Sequence, residues 1–261
     1  MPIISFVEEE GPGQGRGHYE HGQGKGLGHL KHADDAMSDG VYTVRIDGID
    51  VDNPTTTSVT SATTVLADGG LLNTEVRQGE ISIDSIGGQE ALHLVTDVDN
   101  GRLRLNVGLD QDQQVTLGDL GTLRFDYYVA ESTRTDVIPV LRLVVDADGD
   151  LTTTSDRGEL VFEWAYQGES PAPTDSWQTA DLSGDDWTAW QRSLGVNRDQ
   201  IANMTTLSDW SDADGYTPAG GLHFDADSVV LGWSLALGSG NGATDAYVNN
   251  LALGGVTYEF G

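Results

Sequence analysis

Asp146-Ala-Asp-Gly-Asp150 alternates three carboxylates around a glycine, and hard cations take several oxygens from loops of that kind. The full calcium loop is incomplete, because Arg157 stands where its closing glutamate belongs. Asp146, Asp148 and Asp150 are therefore a candidate metal set for structural calcium or another cation. The competing reading is a solvated hairpin tip, since 30 aspartates make such clusters common by chance. Asp209, Asp212 and Asp214 form a looser cluster of the same type. All six tryptophans lie in the second half of the chain. Trp187, Trp190 and Trp210 sit in loop-like, aspartate-bearing stretches, and their ring faces are candidates to stack on a glycan. Trp164 and Trp233 stand within strand patterns and are expected in the core.

Catalytic constellations are hard to assemble. Glu159 and Glu163 are four apart on one strand, about 13 Å at the backbone. A retaining glycosidase needs its carboxyl groups about 5–5.5 Å apart. There is no cysteine, and only His93 and His223 lie beyond residue 34, so no nucleophile–base set emerges. His93, within Leu92-His-Leu94, reads as a packed or rim histidine. The expectation is a protein that is not an enzyme.

The elements that must position these residues read as strands. Period-two alternation runs through Val41–Ile46, Ile81–Ile86, Leu103–Val107, Leu123–Val129, Val137–Val145, Val229–Leu237 and Ala246–Leu253. Asp68-Gly-Gly70, Asn100-Gly101, Asp148-Gly149 and Gly254-Gly255 supply turns between them. One helix is expected over about Arg198–Leu207, capped by Asn197. Many strands with hardly any helix predict an all-β fold, a jelly-roll type two-sheet β-sandwich. The expected division is an extended arm over residues 1–39 and a sandwich domain over 40–261.

The 261 residues carry 42 acidic and 13 basic side chains, a net charge of −29. From residue 34 onward there are 38 acids, ten arginines and no lysine. That surface repels nucleic acid and would repel itself in dilute buffer, whereas molar salt screens it. The composition reads as adaptation to brine. No apolar run approaches the roughly 20 residues of a membrane helix, and the N-terminus has no basic, apolar and cleavage regions of a signal peptide.

Residues 11–28, GPGQGRGHYEHGQGKGLG, cannot bury enough apolar surface to fold alone. An apolar hook of Ile3, Ile4, Phe6 and Val7 precedes them, and the segment carries Arg16, Lys25 and Lys31. It reads as an arm that docks on a partner through backbone hydrogen bonds and apolar anchors.

The order of strand motifs from Leu120–Val129 through Trp177-Gln-Thr-Ala-Asp181 and Gly232–Gly238 to Ala246-Tyr-Val-Asn-Asn-Leu251 carries a resemblance. It resembles carbohydrate-binding-module-like jelly-roll domains of bacterial and archaeal surface proteins. That likeness implies a fold and a binding habit, with no catalytic residue. The family usually has aspartate where this chain has Asn249, which puts in doubt a calcium carried over from the family. Arm, brine adaptation and missing signal together predict a structural protein of a haloarchaeal virus particle. It would be a capsid decoration, turret or tail-associated protein on the virion surface. Its partners would be copies of itself, other virion proteins and host surface glycans. The alternative is a carbohydrate-binding module of a secreted or cell-surface halophile protein, and a third reading is a glycan-cleaving enzyme.

Overall fold

The computed structural model describes residues 6–7, 42–53, 60–65, 70–168, 171–193, 204–238, 240 and 242–261. The strands among them are, in chain order, β1 (Phe6–Val7), β2 (Tyr42–Ile46), β3 (Asp50–Asn53), β4 (Thr60–Val65), β5 (Leu71–Arg77), β6 (Gly79–Ile86), β7 (Gln89–Thr96), β8 (Arg102–Gly108) and β9 (Val115–Thr116). There follow β10 (Leu123–Ser132), β11 (Val140–Asp146), β12 (Arg157–Phe162), β13 (Gln178–Asp181), β14 (Thr188–Ser193), β15 (Thr205–Thr206), β16 (Val229–Leu237), β17 (Thr244–Leu253) and β18 (Val256–Phe260).

Alternation explains why these segments pair and which way they face. In β10, Leu123, Phe125, Tyr127 and Val129 are all buried, while Arg124, Asp126 and Tyr128 point the other way. A strand of this pattern has one apolar face to hide, and two sheets packed face to face hide it. The first sheet is built on β17. β10 and β13 lie on one flank of it. On its other flank, β7 pairs with its first half and β18 with its second. β6 and β3 continue outward from β7, and β2 and β1 from β18. The second sheet runs β15-β14-β12-β11-β16-β8-β5-β4, with β9 beside the start of β16. All these pairs are antiparallel except β2 with β18. The result is the all-β, two-sheet sandwich expected from the alternation.

One apolar core spans residues from Val44 to Phe260. At its centre Trp233 of β16 meets Tyr258 of β18 edge-on across the two sheets, with ring centroids 4.9 Å apart. Fully burying an apolar side chain of this class contributes about 1.5–3 kcal/mol. Trp233 is thus a core residue, as its strand pattern predicts.

The helix differs from expectation. Residues 197–203 lie outside the described residues, Thr205–Thr206 are strand, and the helix is a single turn, α1 (Leu207–Trp210). Its cap is Thr206, whose hydroxyl accepts from the Asp209 backbone N–H. That cap starts the turn, and the expected cap Asn197 lies outside the described residues.

The expected docking residues divide. Ile3, Ile4, Arg16, Lys25 and Lys31 lie outside the described residues. Phe6 and Val7 form β1, which pairs antiparallel with β2 of the same chain. Their backbone groups on that edge are therefore taken up within the chain.

At the fork where β17 changes partner sits Asn249, only 7% exposed. Its amide nitrogen donates to the Glu90 carbonyl at 2.8 Å. Its oxygen accepts from the Phe260 N–H at 3.1 Å and the Asn250 N–H at 2.9 Å. Asn250 has φ +49, an αL position that asparagine tolerates. Asparagine thus ties β7, β17 and β18 with a donor that aspartate lacks. Asn249→Asp is expected to destabilise by about 1–3 kcal/mol, through the lost donor and the two oxygens left facing each other. Chemical denaturation in a chelator measures it.

Candidate functional site

On the outer face of the first sheet, alternation leaves three rings in a row on three neighbouring strands, with a fourth ring beside them. His93 of β7 stacks on Tyr247 of β17, centroids 4.2 Å apart and 8° from parallel. Tyr247 meets Tyr128 of β10 edge-on at 6.2 Å, and Tyr128 meets Trp177 at 5.9 Å. The row is set by register: Tyr247 pairs with His93 on one side and with Tyr128 on the other. Trp177 stands directly before β13, whose Gln178 pairs with Tyr127. His93, Tyr128 and Trp177 are partly exposed, while Tyr247 between them is nearly covered.

Hydrogen-bonding groups flank the rings. His93 Nε2 lies 2.9 Å from Asp245 Oδ1. Asp126 accepts from Asn250 Nδ2 at 2.7 Å and from the Thr179 hydroxyl at 2.6 Å. Asp84 is exposed beside His93. Burial raises the Tyr247 phenol above its ordinary value, and the nearby Asp245 and Asp84 raise it further. Its hydroxyl therefore stays protonated and able to donate. Ring surface edged by carboxylates and amides suits a ligand with apolar C–H faces and many hydroxyls. The same carboxylates would repel a polyanion.

The outer face of the second sheet has the opposite chemistry. Arg77, Arg102, Arg104, Arg142, Arg157 and Arg192 fall on it by register, six of the ten arginines beyond residue 34. Three of them converge on Glu159, which is 3% exposed. Arg104 binds one carboxylate oxygen, and Arg142 (3.3 Å) and Arg192 (3.4 Å) reach the other. Burial acts to raise the Glu159 carboxyl, but Arg104 and Arg142 together hold it below its ordinary value. Arg142 is itself lowered, first by burial and then by the like charge of Arg104. One carboxylate thus anchors three guanidinium groups.

The sequence-predicted glycan set is not brought together on a surface. Trp187 is 8% exposed, Trp190 4% and Trp210 0%. Trp210 packs against Tyr216 and Phe224, and its indole N–H donates to the Ala189 carbonyl. Trp190 packs with Val140, Val161 and Met204 and donates to Glu163. Trp187 meets Trp164 edge-on. Burial leaves none of the three a free ring face, because each fills a gap at the β14 end of the sandwich. Glu159 and Glu163, held by arginines and by Trp190, are likewise not poised as an acid–base pair. The described cleft lined by Arg134, Asp136, Trp164 and Tyr166 has about 210 Å³, below the roughly 300 Å³ at which ligand pockets begin.

Of the metal set, Asp146 and Asp148 come together, and Asp156 joins them in place of Asp150. Asp150 turns away to accept from the Thr152 backbone and hydroxyl. Among the looser set, the Asp209 carboxylate accepts from the Thr206 hydroxyl at the start of α1, and Asp212 accepts from the Asp214 N–H.

No family model matches the chain, and no curated protein matches it. Among solved structures it is similar to a family 11 carbohydrate-binding module from Clostridium thermocellum, solved in complex with a β-1,3-1,4-mixed-linked tetrasaccharide. That identity is 12%, over 81% of this chain and 97% of that one, with a TM-score of 0.36. It is also similar to a family 30 carbohydrate-binding module, again 12% identical, over 78% of this chain and 98% of that one, with a TM-score of 0.37. These neighbours are carbohydrate-binding β-sandwich modules; scores this low transfer no ligand and no residue.

Proposed function

We propose that the protein is a non-catalytic carbohydrate-binding module of an extracellular or cell-surface protein. It holds a neutral glycan along the outer face of the first sheet. The observation that carries this reading is the in-register row of His93, Tyr247, Tyr128 and Trp177. Sugar rings lie on the exposed aromatic surface, and their hydroxyls donate to Asp84 and Asp245 or accept from the Tyr247 hydroxyl. No helix among the described residues is long and apolar enough to cross a membrane. Neither the fold nor the comparisons supports the virus-particle role expected from the sequence. The arm on which that role rests lies almost wholly outside the described residues.

The test is a panel of neutral and acidic polysaccharides titrated in molar sodium chloride. Trp177→Ala and Tyr128→Ala are each expected to weaken neutral-glycan binding about tenfold or more, equivalent to about 1.4 kcal/mol, with the fold retained in the partly exposed Trp177 variant. Arg102→Ala on the opposite face leaves affinity unchanged. Loss of binding through Arg102 rather than Trp177 would assign the ligand to the second sheet. Silence across the whole panel removes the glycan-binding reading.

A further inference from the structure

We propose that the hairpin joining β11 to β12 holds one calcium ion between Asp146, Asp148 and Asp156. The site lies at one end of the second sheet and is independent of the aromatic row. Asp146 closes β11 with its side chain fully buried. Its Oδ2 accepts from Arg157 Nε at 2.9 Å, while Oδ1 is buried and has no hydrogen-bond partner. Asp156 is partly buried beside it. Its Oδ1 accepts from the Thr153 hydroxyl at 2.9 Å, and Asp148 reaches the same carboxylate through its backbone and side chain. Asp148, exposed, supplies the third side.

A buried carboxylate oxygen without a donor is costly in a folded chain, and Asp146 Oδ1 has two further carboxylates beside it. A cation removes that penalty and the repulsion among the three carboxylates at once. One oxygen from each of the three residues lies within 4.8 Å of the others. Oxygens sharing one calcium at about 2.3–2.6 Å each can stand about that far apart. Three carboxylates against one guanidinium leave two negative charges, matching a divalent ion. The open side at Asp148 admits the waters that complete the six to eight ligands calcium takes, whereas magnesium demands a tight octahedron.

The hairpin is already held in shape. Gly149 turns it with φ +69, Arg157 also donates to the Leu151 carbonyl at 2.9 Å, and the Ser228 hydroxyl pins the Ala147 carbonyl at 3.0 Å. The tip therefore needs little ordering when the ion arrives.

The experiment uses the full chain, stripped with a chelator and held at constant ionic strength in molar sodium chloride. Calcium chloride is titrated by calorimetry and by thermal melting. The expected result is one ion per chain with Kd on the order of 10⁻⁴–10⁻³ M, as in other extracellular calcium modules. At about tenfold excess over Kd, the melting temperature should rise by about 3–6 °C. Asp156→Asn is expected to weaken binding at least tenfold and to abolish that rise. Asp148→Asn, at an exposed position, does the same should Asp156→Asn fail to fold. Asp150→Asn retains the response. The proposal is overturned if the stripped wild type does not respond to calcium, if magnesium chloride acts equally, or if the rise survives both Asp148→Asn and Asp156→Asn.

Discussion

Glu159→Ala is expected to cost about 3–5 kcal/mol, because removing one partner of a buried ion group strands the others. Arg104 and Arg142 are themselves only 19% and 16% exposed, so water cannot take over the role of the carboxylate. Urea denaturation in molar salt measures the loss as a lower midpoint at unchanged slope. Glu159→Gln keeps the volume and removes the charge, and should fall between wild type and alanine. Replacing Glu159, Arg104 and Arg142 together by apolar residues should recover much of the loss, since a buried ion group can often be exchanged for apolar packing, while the more exposed Arg192 turns to solvent.

The pH dependence has a defined sign. The folded-state carboxyl is lowered from the ordinary glutamate value of 4.5. Its contribution is therefore present above that value and disappears as pH falls through the lower, folded value. The gap between wild type and Glu159→Gln should narrow only in that acid range. A gap unchanged down to complete acid unfolding, or an alanine variant as stable as wild type, would show that the arginines balance one another through other partners.

The second large effect is the response to salt. With 38 acids against ten arginines beyond residue 34, and six of those arginines gathered on one sheet face, most of the remaining surface is carboxylate facing carboxylate. The screening length shortens from about 8 Å at 0.15 M salt to about 3 Å at 1 M. Over that range the melting temperature should climb by about 10 °C, or roughly 3–5 kcal/mol for a chain of this size. Sodium and potassium chloride should act alike, and sucrose at equal osmolality should give a much smaller rise. A profile flat in salt would mean that the carboxylates do not oppose compaction.

Much of the fold was legible because alternation is a local property. Leu123, Phe125, Tyr127 and Val129 declare their face within seven residues, and the sheet follows. The site was less legible because it is made by register. Tyr128 and Tyr247 could each be read as outward-facing, but nothing local says that residues 119 apart in the chain lie side by side with His93 and Trp177 in line. The tryptophans misled for a related reason. Trp187, Trp190 and Trp210 sit among aspartates, yet a large ring buries itself wherever two loops and a sheet end leave a gap. Asp156 was missed as a partner of Asp146 because the hairpin folds back over nine intervening positions, whereas Asp150 is nearer in sequence and turned elsewhere. Glu159, read as one of two widely spaced acids, owes its role to arginines from three other strands.

The parallel pairing of β2 with β18 has a mechanical consequence. Five residues of each strand run side by side in the same direction, from Tyr42 opposite Val256 to Ile46 opposite Phe260. Tension between the start of β2 and the end of β18 pulls along the strands, so these backbone bonds are loaded together in shear and resist as a group. Had the strands run antiparallel, the same pull would have opened them like a zipper, one bond at a time. A domain strung between two anchorages through these ends would bear drag on its cargo across the edge of the first sheet.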